Sequence, residues 1–210
     1  MKKNPSSSKK FYKEDFEEQF GIPYLSHNSL QAQELASWDV TLDREYTVNP
    51  KLNTKLTEKY GGLIAEGYTA PIYIKWVNRT VQYGVFAESA IKRGEMIAEY
   101  TGVLSRDNVD NDNPYVWDYP TYTYESVPGK TRRKKIKYCI DAEKSGNYAR
   151  FINHTHRKYQ NVGICMVIAQ GFWHVVYIAQ KDITRGQQLL TYYGMQYWRD
   201  RLINPAPLIP

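Results

Sequence analysis

The chain after Pro71 consists of short runs of β-branched and aromatic residues that are separated by turn signals. Residues 72–77 alternate as Ile-Tyr-Ile-Lys-Trp-Val, and residues 162–169 and 173–179 lie on either side of Gly171, which is typical of a hairpin. Further short strands are predicted over 81–87, 96–100, 136–140 and 189–192. Because few helical patterns interrupt these runs, the sequence predicts a mostly β domain, a β-rich α+β protein of several small sheets.

The chain before Pro71 has a different composition. Residues 1–13 carry five lysines and a run of serines, which is typical of a disordered basic tail. Residues 14–70 are predicted to be a mostly helical N-terminal segment. In that segment Asn28 or Ser29 would cap a helix through Trp38, and Pro50 would begin a second helix that ends at residues 61–62.

Composition narrows the class of protein. The 210 residues are enough for one packed domain with an N-terminal segment. No apolar run is long enough to span a bilayer, and the polar N-terminus has no apolar signal-peptide core, so no membrane partner is expected. Cys139 and Cys165 stand apart in apolar stretches. They predict neither a zinc site nor a disulfide framework, and they favour a reduced, cytosolic-type compartment.

Basic residues are concentrated in one place. The net charge is +6, and six basic residues fall within residues 130–137, so the rest of the chain is neutral overall. These residues are Lys130, Arg132, Arg133, Lys134, Lys135 and Lys137. Such a run attracts DNA or an acidic protein, or acts as a nuclear address. We predict a DNA contact through these six residues, and the alternative is a solvated loop.

Residues 146–155, Gly-Asn-Tyr-Ala-Arg-Phe-Ile-Asn-His-Thr, mix apolar side chains with polar ones. The polar side chains of Asn147, Arg150, Asn153 and His154 need partners if they are buried, because an unpaired buried polar group is costly. The stretch therefore lines a site or holds a polar network. Composition alone agrees equally well with a short helical turn that contains a satisfied arginine and histidine.

The order of motifs resembles the SET domain of protein lysine methyltransferases. In chain order the matching residues are Tyr-Gly-Val-Phe-Ala at 83–87, Gly-Glu at 94–95, Glu-Tyr-Thr-Gly at 99–102, Asp141, Arg-Phe-Ile-Asn-His at 150–154 and Gly-Gln-Gln-Leu-Leu-Thr-Tyr-Tyr-Gly at 186–194. The beginning and end of this region look most like the small chlamydial SET-domain proteins. The resemblance implies a SET domain over residues 71–198 with a C-terminal pseudoknot, a threaded connection that most folds avoid. Residues 196–202 would form a helical turn, and residues 199–210 a C-terminal tail.

The resemblance also implies a reaction, which is methyl transfer from S-adenosylmethionine to a lysine of a histone or a bacterial histone-like protein. The lysine amine must be neutral, aligned with the methyl group and shielded from water. Neutralising a lysine of pKa ~10.4 at pH 7 costs roughly 4–5 kcal/mol. A channel of aromatic side chains lowers that cost by desolvating the ammonium, and the chain has 19 tyrosines from which to build one. This chemistry needs no metal.

Site roles follow from the resemblance residue by residue. Tyr193 matches the catalytic tyrosine, and Tyr100 matches a tyrosine of the lysine pocket. Tyr115 and Thr191 fall at positions of the substrate channel. The residues implied in cofactor binding are Tyr83, Gly84, Arg150, Asn153, His154 and Trp198. For Trp198, simple core packing is an equally good interpretation, and for Arg150 the better interpretation is that it anchors the local polar network.

The chain departs from the family pattern at three places. Gln82 replaces the first glycine of the loop around Tyr83, and Thr191 replaces an aromatic residue that normally limits how many methyl groups are added. Gln187, Gln188 and Tyr192 replace acidic residues. The first two departures motivate an alternative, a SET-like binding module that has lost catalysis and is recruited to chromatin or a nucleoid. A general nucleic-acid binder would explain the charge but not the ordered motifs.

Two cellular locations of the protein are compatible with its basic run and its resemblance to methyltransferases. A substrate among the bacterium's own DNA-binding proteins implies the bacterial cytoplasm, whereas histones imply secretion into a host cell and entry into its nucleus. The basic run is consistent with a nuclear address but also with a DNA contact, so the sequence leaves the location undecided.

Overall fold

The protein was analysed as a computed structural model that describes residues 8–107, 113–128 and 131–200, apart from the side chains of residues 196, 199 and 200. The strands are β1 Lys10–Phe11, β2 Ser29–Leu30, β3 Ile72–Asn78, β4 Gln82–Ala87, β5 Met96–Glu99, β6 Val103–Arg106, β7 Val116–Ser126, β8 Arg133–Asp141, β9 Asn153–His154, β10 Val162–Ala169, β11 Phe172–Ala179 and β12 Leu190–Thr191. The α-helices are α1 Phe16–Phe20, α2 Arg44–Val48, α3 Pro50–Ala65 and α4 Met195–Asp200. Single 3₁₀ turns cover Lys13–Asp15, Gln33–Ser37, Val40–Leu42 and Tyr148–Phe151.

The strands form small separate sheets. Their orders are β1-β3-β4, β10-β11-β5, β12-β9 and β2-β6-β8-β7. The predicted hairpin is β10 and β11, which pair in register from Val162 opposite Ala179 to Ala169 opposite Phe172. The prediction of a β-rich protein built of small sheets is therefore confirmed.

The N-terminal segment contains less helix than expected. Residues 10–11 are not a tail, because they pair with β3 and bury Phe11. The helix predicted from Asn28 or Ser29 to Trp38 is wrong, since Ser29–Leu30 pairs in parallel with β6 and only a 3₁₀ turn follows. The second helix does begin at Pro50, but it continues through residues 61–62 to Ala65. Residues 1–7 of the predicted tail lie outside the described residues.

One apolar core joins the sheets. It includes Phe11 and Phe16 from the part of the chain before Pro71, Ile74 of β3, Tyr148 of the 3₁₀ turn at Tyr148–Phe151, and Trp173 of β11. A smaller cluster lies where α3 packs against β10. Within the described ranges, no helix is both long and apolar enough to cross a bilayer.

The basic run and the C-terminus also differ in part from expectation. Arg133 to Lys137 are not a loop, because they form the first half of β8. Lys130, residues 108–112 of the predicted polar loop and residues 201–210 of the predicted tail lie outside the described residues. β12 pairs in parallel with β9, so the C-terminal segment lies directly against residues 153–154. The threading of a pseudoknot stays a prediction.

Candidate active site

The turn at residues 147–151 is fixed by its first side chain. Asn147 caps the turn, because its Oδ1 accepts from the backbone N–H of Ala149 at 3.0 Å. Its Nδ2 donates to the carbonyl of Glu99 at 2.8 Å. Since Glu99 ends β5 and Tyr100 follows it, this single buried asparagine ties the Arg-Phe-Ile-Asn-His motif to the Glu-Tyr-Thr-Gly motif.

The loop around Tyr83 meets the same motif from the other side. Asn153 Nδ2 donates to the carbonyl of Tyr83 at 2.8 Å. A Cβ on Gly84 would collide with Gln188 Nε2 and would lie 2.9 Å from a methyl of Val77, so any other residue would force these side chains to shift. Gln82 has a left-handed backbone with φ +59°, a conformation that is typical of glycine. The loop therefore has a glycine-like backbone although Gln82 stands where the family pattern has glycine.

His154, Tyr193 and Trp198 form an aromatic group. The N–H of Tyr193 donates to His154 Nδ1 at 3.2 Å, and their ring centroids are 5.3 Å apart. Trp198 stacks on Tyr193 at 6.1 Å and meets the His154 ring edge-on at 4.8 Å. Burial lowers the pKa of His154 to about 4, with a smaller contribution from His156. His154 is therefore neutral at pH 7, and because Nδ1 accepts a hydrogen bond, its proton is on Nε2.

Two tyrosine hydroxyls donate to backbone carbonyls. The Tyr193 hydroxyl donates to the carbonyl of Ile152 at 2.8 Å, and the Tyr100 hydroxyl donates to the carbonyl of Tyr115 at 2.7 Å. Burial raises the pKa of each phenol well above its ordinary value of 10. Both phenols are therefore neutral, and each oxygen keeps its lone pairs available as acceptors.

Tyr177 and Trp117 pack beside Tyr100, although the sequence did not predict them as site residues. The rings of Tyr100 and Tyr177 lie 6.4 Å apart, and those of Tyr100 and Trp117 lie 6.2 Å apart. Burial raises the pKa of Tyr177, and a hydrogen bond with Trp117 opposes the rise. No motif marks either residue. Their proximity to Tyr100 arises only from tertiary packing, so the sequence carries no signal that could have found them.

The guanidinium of Arg150 packs against two aromatic rings. Its guanidinium carbon is 3.9 Å from the Tyr115 ring centroid and 5.2 Å from that of Phe151. Burial lowers the pKa of the guanidinium. Three buried donors, Arg150 Nε, Gln188 Nε2 and Trp198 Nε1, have no hydrogen-bond partner within the described part of the chain. Such donors are expected where a polar ligand binds.

The remaining predicted residue, Thr191, lies in β12. It is buried and stands opposite His154, and its carbonyl accepts from the N–H of Thr155 at 2.8 Å. The structure thus brings Tyr83, Gly84, Tyr100, Tyr115, Arg150, Asn153, His154, Thr191, Tyr193 and Trp198 into one region around residues 147–155. Their roles in binding and catalysis stay predictions. Among the described residues, no group of three or more His, Cys, Asp or Glu side chains is placed to hold a metal ion.

Comparison with known proteins agrees with this arrangement. The chain is similar to the histone-lysine N-methyltransferase Su(var)3-9 of Drosophila melanogaster, at 26% identity over 60% of this chain and 20% of that protein. It is also similar to the N-lysine methyltransferase KMT5A-A of Danio rerio, at 30% identity over 63% of this chain and 38% of that protein. The chain therefore spans less than half the length of either relative.

A solved structure shows the same fold over nearly the whole chain. The ATXR5 SET domain in complex with histone H3 di-methylated on R26 has a TM-score of 0.60 and 18% identity, and the likeness covers 84% of this chain and 83% of that chain. The SET domain family model matches residues 82–194, more than half of the chain, and includes every motif from Tyr83 to Gly194. The chain belongs to the SET-domain family.

Proposed function

We propose that this protein transfers a methyl group from S-adenosylmethionine to a lysine side chain of a basic protein. The observation that carries the proposal is a pair of neutral phenols, buried Tyr100 and partly buried Tyr193, whose hydroxyls donate to backbone carbonyls. Each phenol oxygen can then accept an N–H from a neutral amine. An amine that donates both hydrogens keeps its lone pair free to attack.

The aromatic surroundings support the same reaction. The rings of Trp117 and Tyr177 pack beside Tyr100, and Tyr100 and Tyr177 are buried. Desolvation beside such rings favours the neutral form of a lysine amine. Because neither Tyr193 nor Tyr100 ionises near pH 7, no side chain in this group serves as a strong base. The proton of the incoming lysine is therefore lost to solvent before the amine enters, and positioning supplies the catalysis.

The residues present fit S-adenosylmethionine. That cofactor supplies an electrophilic methyl group on a sulfonium, and it also carries a carboxylate and an adenine ring. Arg150 offers a cation with an unpartnered Nε, and Trp198 and neutral His154 offer aromatic surfaces with donors. The absence of a side chain at Gly84 would permit close backbone approach. With Tyr83 and Asn153, these are the residues that would hold the cofactor.

The substrate class and the location belong to the same proposal. The similar proteins are named as histone-lysine or N-lysine methyltransferases, which supports a histone or a histone-like protein as substrate. A DNA contact through the basic run would bring the site to such substrates. If the likeness to chlamydial SET proteins holds, the substrate is either a bacterial histone-like protein or a histone that is reached after delivery into a host nucleus.

Methyl transfer tests the proposal. We expect transfer from labelled S-adenosylmethionine to mixed histones and bacterial histone-like proteins to rise across pH 7 to 9.5, about tenfold per unit while the lysine stays mostly protonated. Tyr193→Phe removes the orienting oxygen and is expected to lower the rate about 10²-fold or more. The rate is not expected to fall at the upper end of this range, because the raised pKa values keep Tyr100 and Tyr193 protonated.

Tyr68→Phe is the matched control, since it removes a half-exposed hydroxyl elsewhere and is expected to leave the rate unchanged. The labelled band identifies the substrate class and thereby separates the bacterial from the host location. If calorimetry shows cofactor binding but no transfer to any of these substrates, the proposal fails and the catalytically impaired binding module is favoured.

A further inference from the structure

Strands β7 and β8 continue beyond the sheet to which they belong. β6 pairs with β8 only from Val103, opposite Asp141, to Arg106, opposite Tyr138. Past that point, residues 122–126 of β7 pair with residues 133–137 of β8, and the N–H of Asp107, just after β6, donates to the carbonyl of Lys137 at 2.9 Å. We call these two stretches the ribbon.

The register of the ribbon sorts its side chains onto two faces, because directly opposed residues point to the same side. The outer face carries Tyr122 opposite Lys137, Tyr124 opposite Lys135 and Ser126 opposite Arg133. The inner face carries Thr123 opposite Ile136 and Glu125 opposite Lys134. Burial agrees, since Ile136 is buried whereas Tyr122 and Tyr124 are 37% and 55% exposed.

The charges on the inner face are balanced. Arg106 donates to Glu125 at 3.0 Å and to Glu34 at 2.5 Å. Lys134 stands directly opposite Glu125. Two acids therefore accompany two bases on this side, and little net charge remains to attract a distant partner.

The outer face has an excess of positive charge. None of its three cations has an acidic residue directly opposite in the ribbon, and Asp107, which follows β6, lies beside Lys137, so three cations accompany one neighbouring acid. Lys135 Nζ lies 3.7 Å from the centroid of the Tyr122 ring. This cation–π contact holds Lys135 on the outer side. The basic surface ends at Cys139, which stands opposite Asp118. A run of basic residues in the sequence has thus become a defined patch of three cations and two tyrosine hydroxyls.

We propose that the outer face of the ribbon binds the phosphate backbone of duplex DNA. This inference rests on the DNA contact proposed above and narrows it, because Lys134 lies on the inner face and takes no part in the contact. Alternate residues on a strand are about 6.8 Å apart, and phosphates along one DNA strand recur about every 3.4 Å of helix axis. Successive cations therefore meet about every second phosphate. The major groove of B-DNA admits a two-stranded ribbon, and Tyr122 and Tyr124 supply hydroxyls that can donate to phosphate oxygens.

The test compares alanine variants of two neighbouring lysines, one on each face of the ribbon. Binding of the full chain to a fluorescein-labelled 20-bp duplex is measured by anisotropy between 50 and 300 mM NaCl, for wild type, Lys135→Ala and Lys134→Ala. Each variant loses one charge from an exposed residue of the same strand. Three phosphate contacts predict a slope of log affinity against log salt near about −2.7 for wild type. Lys135→Ala is expected to weaken binding about eightfold at 0.1 M salt and to reduce the slope by about 0.9, whereas Lys134→Ala leaves both unchanged.

Each other outcome overturns the inference. Equal losses in the two variants would mean that net charge, and not one face, attracts the DNA. Absence of salt-dependent binding would mean that the ribbon is a solvated surface. Tighter binding of a single-stranded oligonucleotide, or of poly-glutamate, would assign the face to a different partner. Because binding is read without methyl transfer, failure here is distinguishable from failure of the proposed enzymatic activity.

Discussion

Gln82 has a backbone conformation that L-residues adopt only at a cost. Its φ is +59°, and Gln170 in the hairpin turn has φ +51°. The left-handed region costs a non-glycine residue roughly 1–2 kcal/mol, and a glycine variant would recover this energy. Part of that gain is lost, because glycine gives up more backbone entropy than glutamine on folding. We expect Gln82→Gly to raise the free energy of unfolding in urea by about 0.5–1 kcal/mol.

The same variant tests whether Gln82 impairs the site. Since the loop already has a glycine-like backbone, the affinity for S-adenosylmethionine measured by calorimetry is expected to change less than about twofold. Gln170→Gly is the control, because it relieves similar strain in the turn between β10 and β11, outside the motifs of the site. Affinity that rises more than tenfold in Gln82→Gly alone would show that the native side chain obstructs the cofactor.

Among single residues, the sequence predicted those that sit in contiguous motifs. Tyr100, Asn153, His154 and Tyr193 lie together because short local motifs carry them and backbone pairing brings the motifs together. Tyr177 was missed because nothing local distinguishes it from other strand tyrosines. Its proximity to Tyr100 arises only when β11 pairs with β5.

At the scale of elements, Asp43 explains how the segment before α2 is held on the sheets. Its buried carboxylate accepts from Trp173 Nε1 at 2.9 Å, from the Thr121 hydroxyl at 2.5 Å and from Trp38 Nε1 at 3.1 Å. Asp43→Ala leaves three donors without this acceptor, and each buried unsatisfied donor costs about 1–3 kcal/mol. We expect the free energy of unfolding in urea to fall by about 3 kcal/mol or more.

Asp39→Ala provides the comparison for that measurement. Asp39 lies four residues earlier, is exposed, and accepts from the N–H of Thr41 at 3.0 Å as the cap of a 3₁₀ turn. Its loss is expected to cost about 1 kcal/mol. Equal costs for the two variants would show that Asp43 contributes only a local turn and does not dock the segment.

Elements with strong local patterns were predictable, and those that depend on a distant partner were not. β3, β4, β10 and β11 follow alternation and turn residues. Ser29–Leu30 was assigned to a helix because capping residues favour one, yet pairing with β6 determines its conformation. Likewise residues 136–140 were predicted as a strand, but the charges before them left a solvated loop as the alternative, and long pairing with β7 extends the strand back to Arg133.

At the scale of the whole molecule, the N-terminal segment and the SET domain share one core. Phe16 of α1 is fully buried, with its ring 6.1 Å from that of Tyr148 and 6.2 Å from that of Phe151. Both partners belong to the turn that precedes Asn153 and His154. The segment that the sequence separated as an appendage therefore forms part of the support beneath the site.

Phe16→Ala tests whether the N-terminal segment and the SET domain unfold together. Removing a buried phenylalanine costs about 3–5 kcal/mol, which corresponds to a melting temperature lower by roughly 10 °C for a chain of this size. Far-ultraviolet circular dichroism and tryptophan fluorescence are expected to report the same lowered transition, as they must if the chain unfolds as one cooperative unit. Leu42→Ala, at a residue that is 69% exposed, is expected to change it little. An early loss of helical signal with an unshifted fluorescence transition would instead mean that the N-terminal segment folds separately and that the site does not depend on it.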